Sequence, residues 1–212
     1  QENNSNRALV HLSMRGCRVG AAGAMALADM LRHNTTLTHL SLDSNSSIGD
    51  EGVTAIAKAL QENNSNSALV HLSMKECGIG AAGAMALADM LRHNSTLDRD
   101  SLLDGLDGVA KVAVELCTKT SCSVSPDLKA ADVVKVVVHA LRVNETLIEL
   151  NLDRYGIGDE GVTAIAKALQ ENNSNSALVH LSMQKCKVEA AGAMALADML
   201  RYNTTLTHLS LD

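Results

Sequence analysis

The chain has 212 residues, 46% hydrophobic and 20% charged, which is enough apolar material for a continuous core and excludes a disordered segment. A net charge of −6 excludes broad binding to nucleic acid or anionic membranes, which needs clustered Lys and Arg. With no Phe or Trp and only two Tyr, the core must be filled by Leu, Val, Ile, Met and above all Ala, side chains that suit closely stacked elements.

The first residues, Gln1-Glu2-Asn3-Asn4, read as the tail of a helix and lack the regions of a signal peptide. The first apolar pattern is Leu9-x-x-Leu12-x-Met14-x-x-Cys17, whose alternation predicts a strand, followed by an Ala-rich helix from Ala21 to Leu31. The pattern returns as Leu37/Leu40/Leu42/Asn45. After it, Val53, Ile56, Ala57 and Leu60 fall on one helical face, and Asp50 and Glu51 sit where carboxylates favour the helix dipole. A third copy, Leu69/Leu72/Met74/Cys77, precedes a helix from Ala81 to Leu91. Residues 1–38 and 61–98 match at all but seven positions. The Asn-X-Ser/Thr triplets beginning at Asn34, Asn45, Asn94, Asn144 and Asn203 are expected to be helix-exit turns rather than glycosylation sites.

Leu97-Asp98-Arg99-Asp100-Ser101-Leu102 should be the next strand, but Asp100 replaces its second buried leucine, so a degraded or shifted strand is expected. Leu103, Leu106, Val109, Ala110, Val114 and Leu116 then have helical spacing. Ser125-Pro126-Asp127 signals the start of a second helix running to about Leu141, packed through Val133, Val134, Val137, Val138 and Leu141. No leucine-rich strand is expected between the two helices. Cys117 and Cys122 bracket Thr-Lys-Thr-Ser without further ligands nearby, which predicts a loop between helices rather than a zinc site.

The pattern resumes at Leu147/Leu150/Leu152/Tyr155 and Leu178/Leu181/Met183/Cys186, and the text of the first copy returns from Gln170. Leu206/Leu209/Leu211 begins a strand without its helix. Neither terminus carries a cap, so self-association or fraying of uncapped terminal repeats is expected, as for a fragment of a longer array. Successive first leucines lie 28, 32, 28, 50, 31 and 28 residues apart. The expected organisation is one domain over 1–212, with a first repeat block at 1–97, an irregular helical interruption at 98–130 and a second block at 131–212.

The Leu-x-x-Leu-x-Leu-x-x-Asn/Cys runs, the turn Ile48-Gly49-Asp50-Glu51-Gly52 repeated at Ile157-Gly158-Asp159-Glu160-Gly161, and helices ending Ala-Leu or Met-Leu before Asn carry a resemblance. It is to the ribonuclease-inhibitor-like class of leucine-rich repeat, whose members include ribonuclease inhibitor, the Ran GTPase-activating protein and the sensor arms of nucleotide-binding innate-immune receptors. The resemblance spans everything except about residues 98–130. It implies an α/β solenoid or horseshoe with parallel strands on a concave face and helices on a convex one, and a macromolecular partner.

On that expectation, alternate strand residues face the partner. His11, His39 and His71 form a column on consecutive strands about 5 Å apart, continued after the interruption by Glu149, His180 and His208. Arg15, Asp43, Lys75, Asp153 and Gln184 stand at the strand ends. Differences between near-identical copies concentrate just beyond them, which adds Arg18, Lys185 and Lys187 on one edge. Phosphate-binding and triad motifs are missing, so a protein-binding scaffold or ligand-sensing domain is expected rather than an enzyme, with no metal and no cofactor. The alternative is a GTPase-activating protein of the Ran-activator type. Five cysteines, an odd number with three at one repeat position, predict a reduced, cytoplasmic setting. No stretch approaches the roughly 18 apolar residues of a membrane span.

Overall fold

A computed structural model describes residues 8–63, 68–106, 108–124, 127–172 and 177–211. It divides into two compact units, residues 1–114 and 115–212.

In the first unit, three short strands, β1 (His11–Ser13), β2 (His39–Ser41) and β3 (His71–Ser73), form a parallel sheet in sequence order. They pair in strict register, His11 with His39 with His71 and Leu12 with Leu40 with Leu72. Between them run α1 (Ala21–Leu31) and α2 (Gly49–Glu62), with α3 (Ala81–His93) following, and each helix packs on the next. Neither stripe of a single repeat could leave water alone. Stacking joins Leu40, Leu42, Leu72 and Met74 of the strands to Val53, Ile56 and Leu60 of α2, all at most 2% exposed. Each such side chain contributes roughly 1.5–3 kcal/mol on burial. Small residues set the spacing, since a Cβ on Gly52 of α2 would lie 2.7 Å from the Ala24 Cβ of α1.

The same logic builds the second unit from β4 (Ser121–Ser123), α6 (Ala130–Val143), β5 (Glu149–Asn151), α7 (Gly158–Glu171), β6 (His180–Ser182), α8 (Ala190–Leu200) and β7 (His208–Ser210). Its four parallel strands also follow sequence order, with Cys122, Leu150, Leu181 and Leu209 in register.

Segment 98–130 differs from expectation in three ways. First, the residues after Leu97 are not a shifted strand. One strand-like bond survives, from the Asp98 N–H to the Val70 carbonyl (2.8 Å), and the chain then turns into α4 (Arg99–Gly105) against β3. Asp98 caps α4, its carboxylate accepting from the Asp100 and Ser101 amides (3.2 and 3.3 Å). Helical geometry buries Leu102 and Leu103 while Asp100 stays exposed, which a strand could not do. Second, the continuous helical spacing is broken at Leu106, whose backbone is extended, and α5 (Gly108–Thr118) is a separate helix.

Third, a strand does intervene before the next helix. β4 lies where a loop was expected, with Cys122 in the leucine position and 3% exposed. Burial foremost, and the Glu115 carboxylate next, push the Cys122 thiol up to about 12, with Lys119 opposing, so it stays protonated at neutral pH. The following helix, α6, starts at Ala130 with Lys129 at its N-cap, later than the Ser-Pro-Asp signal implied. Ser125 and Pro126 lie outside the described residues. α6 buries Val133, Val136, Val137, Ala140 and Leu141, so Val136 replaces the expected Val134 and Val138, which are half-buried.

The asparagines divide into two kinds. Asn34, Asn94, Asn144 and Asn203 end helices as expected, each side-chain oxygen accepting from the amides two and three residues on. Asn45 instead follows β2, 2% exposed. Its amide donates to the carbonyls of Met14 (2.9 Å) and Leu42 (2.6 Å), and its oxygen accepts from the Val19 amide (2.9 Å). Cys77 and Cys186 hold this position in other repeats, both 1% exposed, with thiols donating to the Leu42 (3.2 Å) and Leu152 (3.0 Å) carbonyls. Cys17, the third member, is exposed rather than buried.

Asp50 and Asp159 reach beyond their own helices. Asp50 Oδ1 accepts from the Gly80 and Gly83 amides at the start of α3 (2.6 and 2.9 Å). Asp159 accepts from the Glu189 and Ala191 amides at the start of α8 (2.7 and 3.2 Å). A Cβ on Gly83 or Gly192 would lie 2.8 or 2.6 Å from that carboxylate oxygen, so glycine is what lets the carboxylate approach.

Candidate functional site

The free face of each sheet is set by strand alternation. Within β2, Leu40 points to the helices while His39 and Ser41 point away. Register repeats this choice on every strand, which makes columns.

In the first unit the column is His11, His39 and His71. Their rings approach closer than the strand spacing, the first pair stacked with centroids 4.0 Å apart and the second tilted by 31° at 4.4 Å. Thr38 lies beside His39, its hydroxyl 3.2 Å from the Val10 carbonyl and 2.7 Å from His39 Nδ1. The Thr38 hydroxyl thus bridges the backbone of the preceding repeat and the imidazole, and orients the ring. Burial lowers the His39 pKa, and repulsion from charged His11 and His71 lowers it further. Ser13, Ser41 and Ser73 form a second column, and the two line a groove of about 350 Å³ together with Ser101 of α4. Asp98 at the cap of α4 approaches His71 Nδ1 at 3.8 Å.

The second unit has the same columns with different occupants: Ser121, Glu149, His180 and His208 in register, around a groove of about 340 Å³. His180 and His208 stack at 4.2 Å, and the Ser121 hydroxyl donates to Glu149 (3.2 Å). Ser101, Ser121 and Ser123 were not legible as site residues. The signal for the last two was spacing alone, since Ser121 lies 28 residues before Glu149.

Further along, Asp43 and Asp153 have structural work. Asp43 Oδ1 accepts from the Ser73 hydroxyl (2.6 Å) and the Lys75 amide (2.9 Å), and Asp153 Oδ1 from the Ser182 hydroxyl (2.6 Å) and the Gln184 amide (2.8 Å). Each ties its strand end to the next repeat. Arg15, Lys75, Lys185 and Lys187 are exposed, as is Arg18, and Gln184 is half-buried.

The edge turns hold two positions at positive φ in each of the three similar copies. These are Gly16 (65°) and Arg18 (57°), Glu76 (57°) and Gly78 (69°), and Lys185 (57°) and Lys187 (59°). Such angles cost a non-glycine residue roughly 1–2 kcal/mol. The third copy has lysine at both positions, where each of the others keeps one glycine.

Among the described residues no cluster of three His, Cys, Asp or Glu could hold a metal ion, and no helix is long and apolar enough to cross a membrane.

Short parallel strands in register, Asn45, Cys77 and Cys186 buried after β2, β3 and β6, and a helix returning the chain define a leucine-rich-repeat domain, a class that binds proteins. The Leucine Rich repeat family model matches residues 5–28, 33–57, 65–88, 143–166 and 174–197, more than half of the chain, and the chain belongs to this family, with repeats of the ribonuclease-inhibitor type. Over 98% of its length it is 31% identical to human NACHT, LRR and PYD domains-containing protein 5, covering 17% of that protein. Over 96% it is 28% identical to mouse ribonuclease inhibitor, covering 45% of it. The chain thus spans less than half the length of these relatives. Among solved structures, the actin-binding site 2 of Leiomodin-1 aligns over 94% of this chain and 83% of its own at 17% identity, with a TM-score of 0.37.

Proposed function

We propose that the chain is a protein-binding repeat module, an interaction scaffold or ligand-sensing domain, whose partner lies on the sheet faces and the adjoining edge. The contact residues are His11, His39 and His71, Glu149, His180 and His208 on the strands, and Arg15, Arg18, Lys75, Gln184, Lys185 and Lys187 along the edge. Asp43 and Asp153 support that edge by fixing the strand ends. The observation that carries this reading is the placement of charged side chains in left-handed turns: Arg18, Lys185 and Lys187 stand exposed where glycine would cost less. Five free cysteines support a reducing, cytoplasmic setting.

The test is the combined substitution Arg15→Ser, Lys75→Ser, Lys185→Ser and Lys187→Ser. Affinity for a partner identified by cross-linking, measured by calorimetry, should fall roughly tenfold or more, about 1.4 kcal/mol, with an unchanged melting temperature. Unchanged affinity rejects the edge. Faster phosphate release from a panel of small GTPases would make the chain a GTPase activator instead.

A further inference from the structure

The histidine stack of the first unit invites a question of charge. Its surroundings are nearly balanced: Arg15, Arg18 and Lys75 stand against Asp43, Glu76 and Asp98 on the strand ends, turns and α4 cap. Of the remaining charged residues of α4, Asp100 and Asp104 are exposed, and the Arg99 guanidinium donates to the Leu91 carbonyl (2.9 Å). With neutral imidazoles this face therefore has no net positive charge, and the charge state of the three histidines decides its sign. The rings are in van der Waals contact at 4.0 and 4.4 Å, so one charged ring opposes the next unless an anion lies across them.

We propose that the groove of the first unit binds an acidic peptide segment laid across β1, β2 and β3, with proton uptake by the His11, His39 and His71 stack. This rests on the interaction reading above and names the chemistry of the partner. Three features support it. The column runs across the strands, so a chain crossing them meets one imidazole per repeat. Protonation gives each ring N–H donors on both nitrogens and a positive charge, which a carboxylate needs. Exposed Arg15 and Lys75, each two residues beyond the groove's Ser13 and Ser73, add cations at the strand ends for the segment's termini. Burial first, and then repulsion from the neighbouring rings, lowers the His39 pKa in the free state. The second unit places Glu149 within its column, which repels such a segment.

The test is fluorescence anisotropy of a synthetic oligoglutamate with the full chain at constant ionic strength, at about pH 5.5 and about pH 7.5, either side of the ordinary imidazole value of about 6.5. Binding should be about tenfold or more tighter at the lower pH. That dependence should vanish in the His11→Gln, His39→Gln, His71→Gln variant and persist in His33→Gln, an exposed histidine just after α1 and off the sheet face. Should the triple variant not fold, NMR of the unaltered chain decides: oligoglutamate should move the titrations of the three rings to higher pH, and unmoved titrations overturn the proposal. Absent binding, or equal loss in His33→Gln, also overturns it. A stronger pH response to single-stranded RNA would replace the acidic peptide with a nucleic acid. Binding that is independent of pH but lost with Arg15 and Lys75 overturns the proton coupling and leaves the interaction reading standing.

Discussion

The two units share a framework and differ in what they show to solvent. In both, leucines at one register position close the core, an aspartate after the strand (Asp43, Asp153) ties it to its successor, and a buried asparagine at a helix end (Asn63, Asn172) donates to the carbonyl ending the preceding helix at 2.8 and 2.7 Å. One residue from those leucines, the outward column reads His-His-His in the first unit and Ser-Glu-His-His in the second. Strand alternation separates the two tasks so cleanly that the face can change chemistry while the core stays as it is.

The largest test of that separation is a core truncation in each unit. Leu40→Ala should cost about 2–5 kcal/mol, as should Leu150→Ala, because both side chains are buried between sheet and helices and leave cavities there. Hydrogen exchange should show the loss concentrated in residues 1–114 for the first and 115–212 for the second. Equal loss of protection throughout the chain for either variant would mean that the two units unfold together.

A smaller effect separates the turn positions. Asn45→Ala takes the side-chain acceptor from the Val19 amide and one donor each from the Met14 and Leu42 carbonyls, at a cost of about 1–3 kcal/mol in denaturant melts. Asn45→Cys should cost less, because the thiols of Cys77 and Cys186 already satisfy one such carbonyl from this position. If the two variants melt alike, the thiol contacts add nothing.

The smallest effect is acid sensitivity. Folding lowers the His39 pKa below the unfolded value of about 6.5. Above that pH the site is neutral in both states. As pH falls through it, the unfolded chain takes the proton first, so stability declines until the pH passes the lower folded value. Melting temperature should therefore drop more between about pH 7 and 5 for the unaltered chain than for His39→Gln. Glu149→His should build a matching stack in the second unit and increase the drop. An unchanged slope in both variants would show that neither burial nor the neighbouring rings lower the His39 pKa.

Much of this was legible in the sequence, because a repeat states its register several times. Near-identical copies located β1 to β3, β5 to β7 and the helices between them, and they placed the histidines in one column. What escaped is the stretch where the text is used once. Asp100 announced that a strand had failed but not that Asp98 would cap a helix in its place, since the same residues serve either as a poor strand or as a good cap. β4 was hidden because Cys122 stands for leucine at a single position, and one cysteine between serines carries no periodicity. The work of Asp43 and Asp153 was invisible for another reason: an outward-pointing carboxylate is as suited to a partner as to the neighbouring amide, and only coordinates show which it meets.

The reach of Asp50 to α3 and of Asp159 to α8 bears on how such a chain can grow. Neither α3 nor α8 has a capping side chain of its own, and both borrow one from the helix before. Excising one repeat would therefore leave a helix start without its acceptor, whereas excising two together carries donor and recipient away as a set. The near-copy of residues 1–38 at 61–98, 60 positions on, has the span of such a pair. The smallest heritable brick of this protein is then the pair of repeats, and gene duplications that add or drop half of one should be selected against.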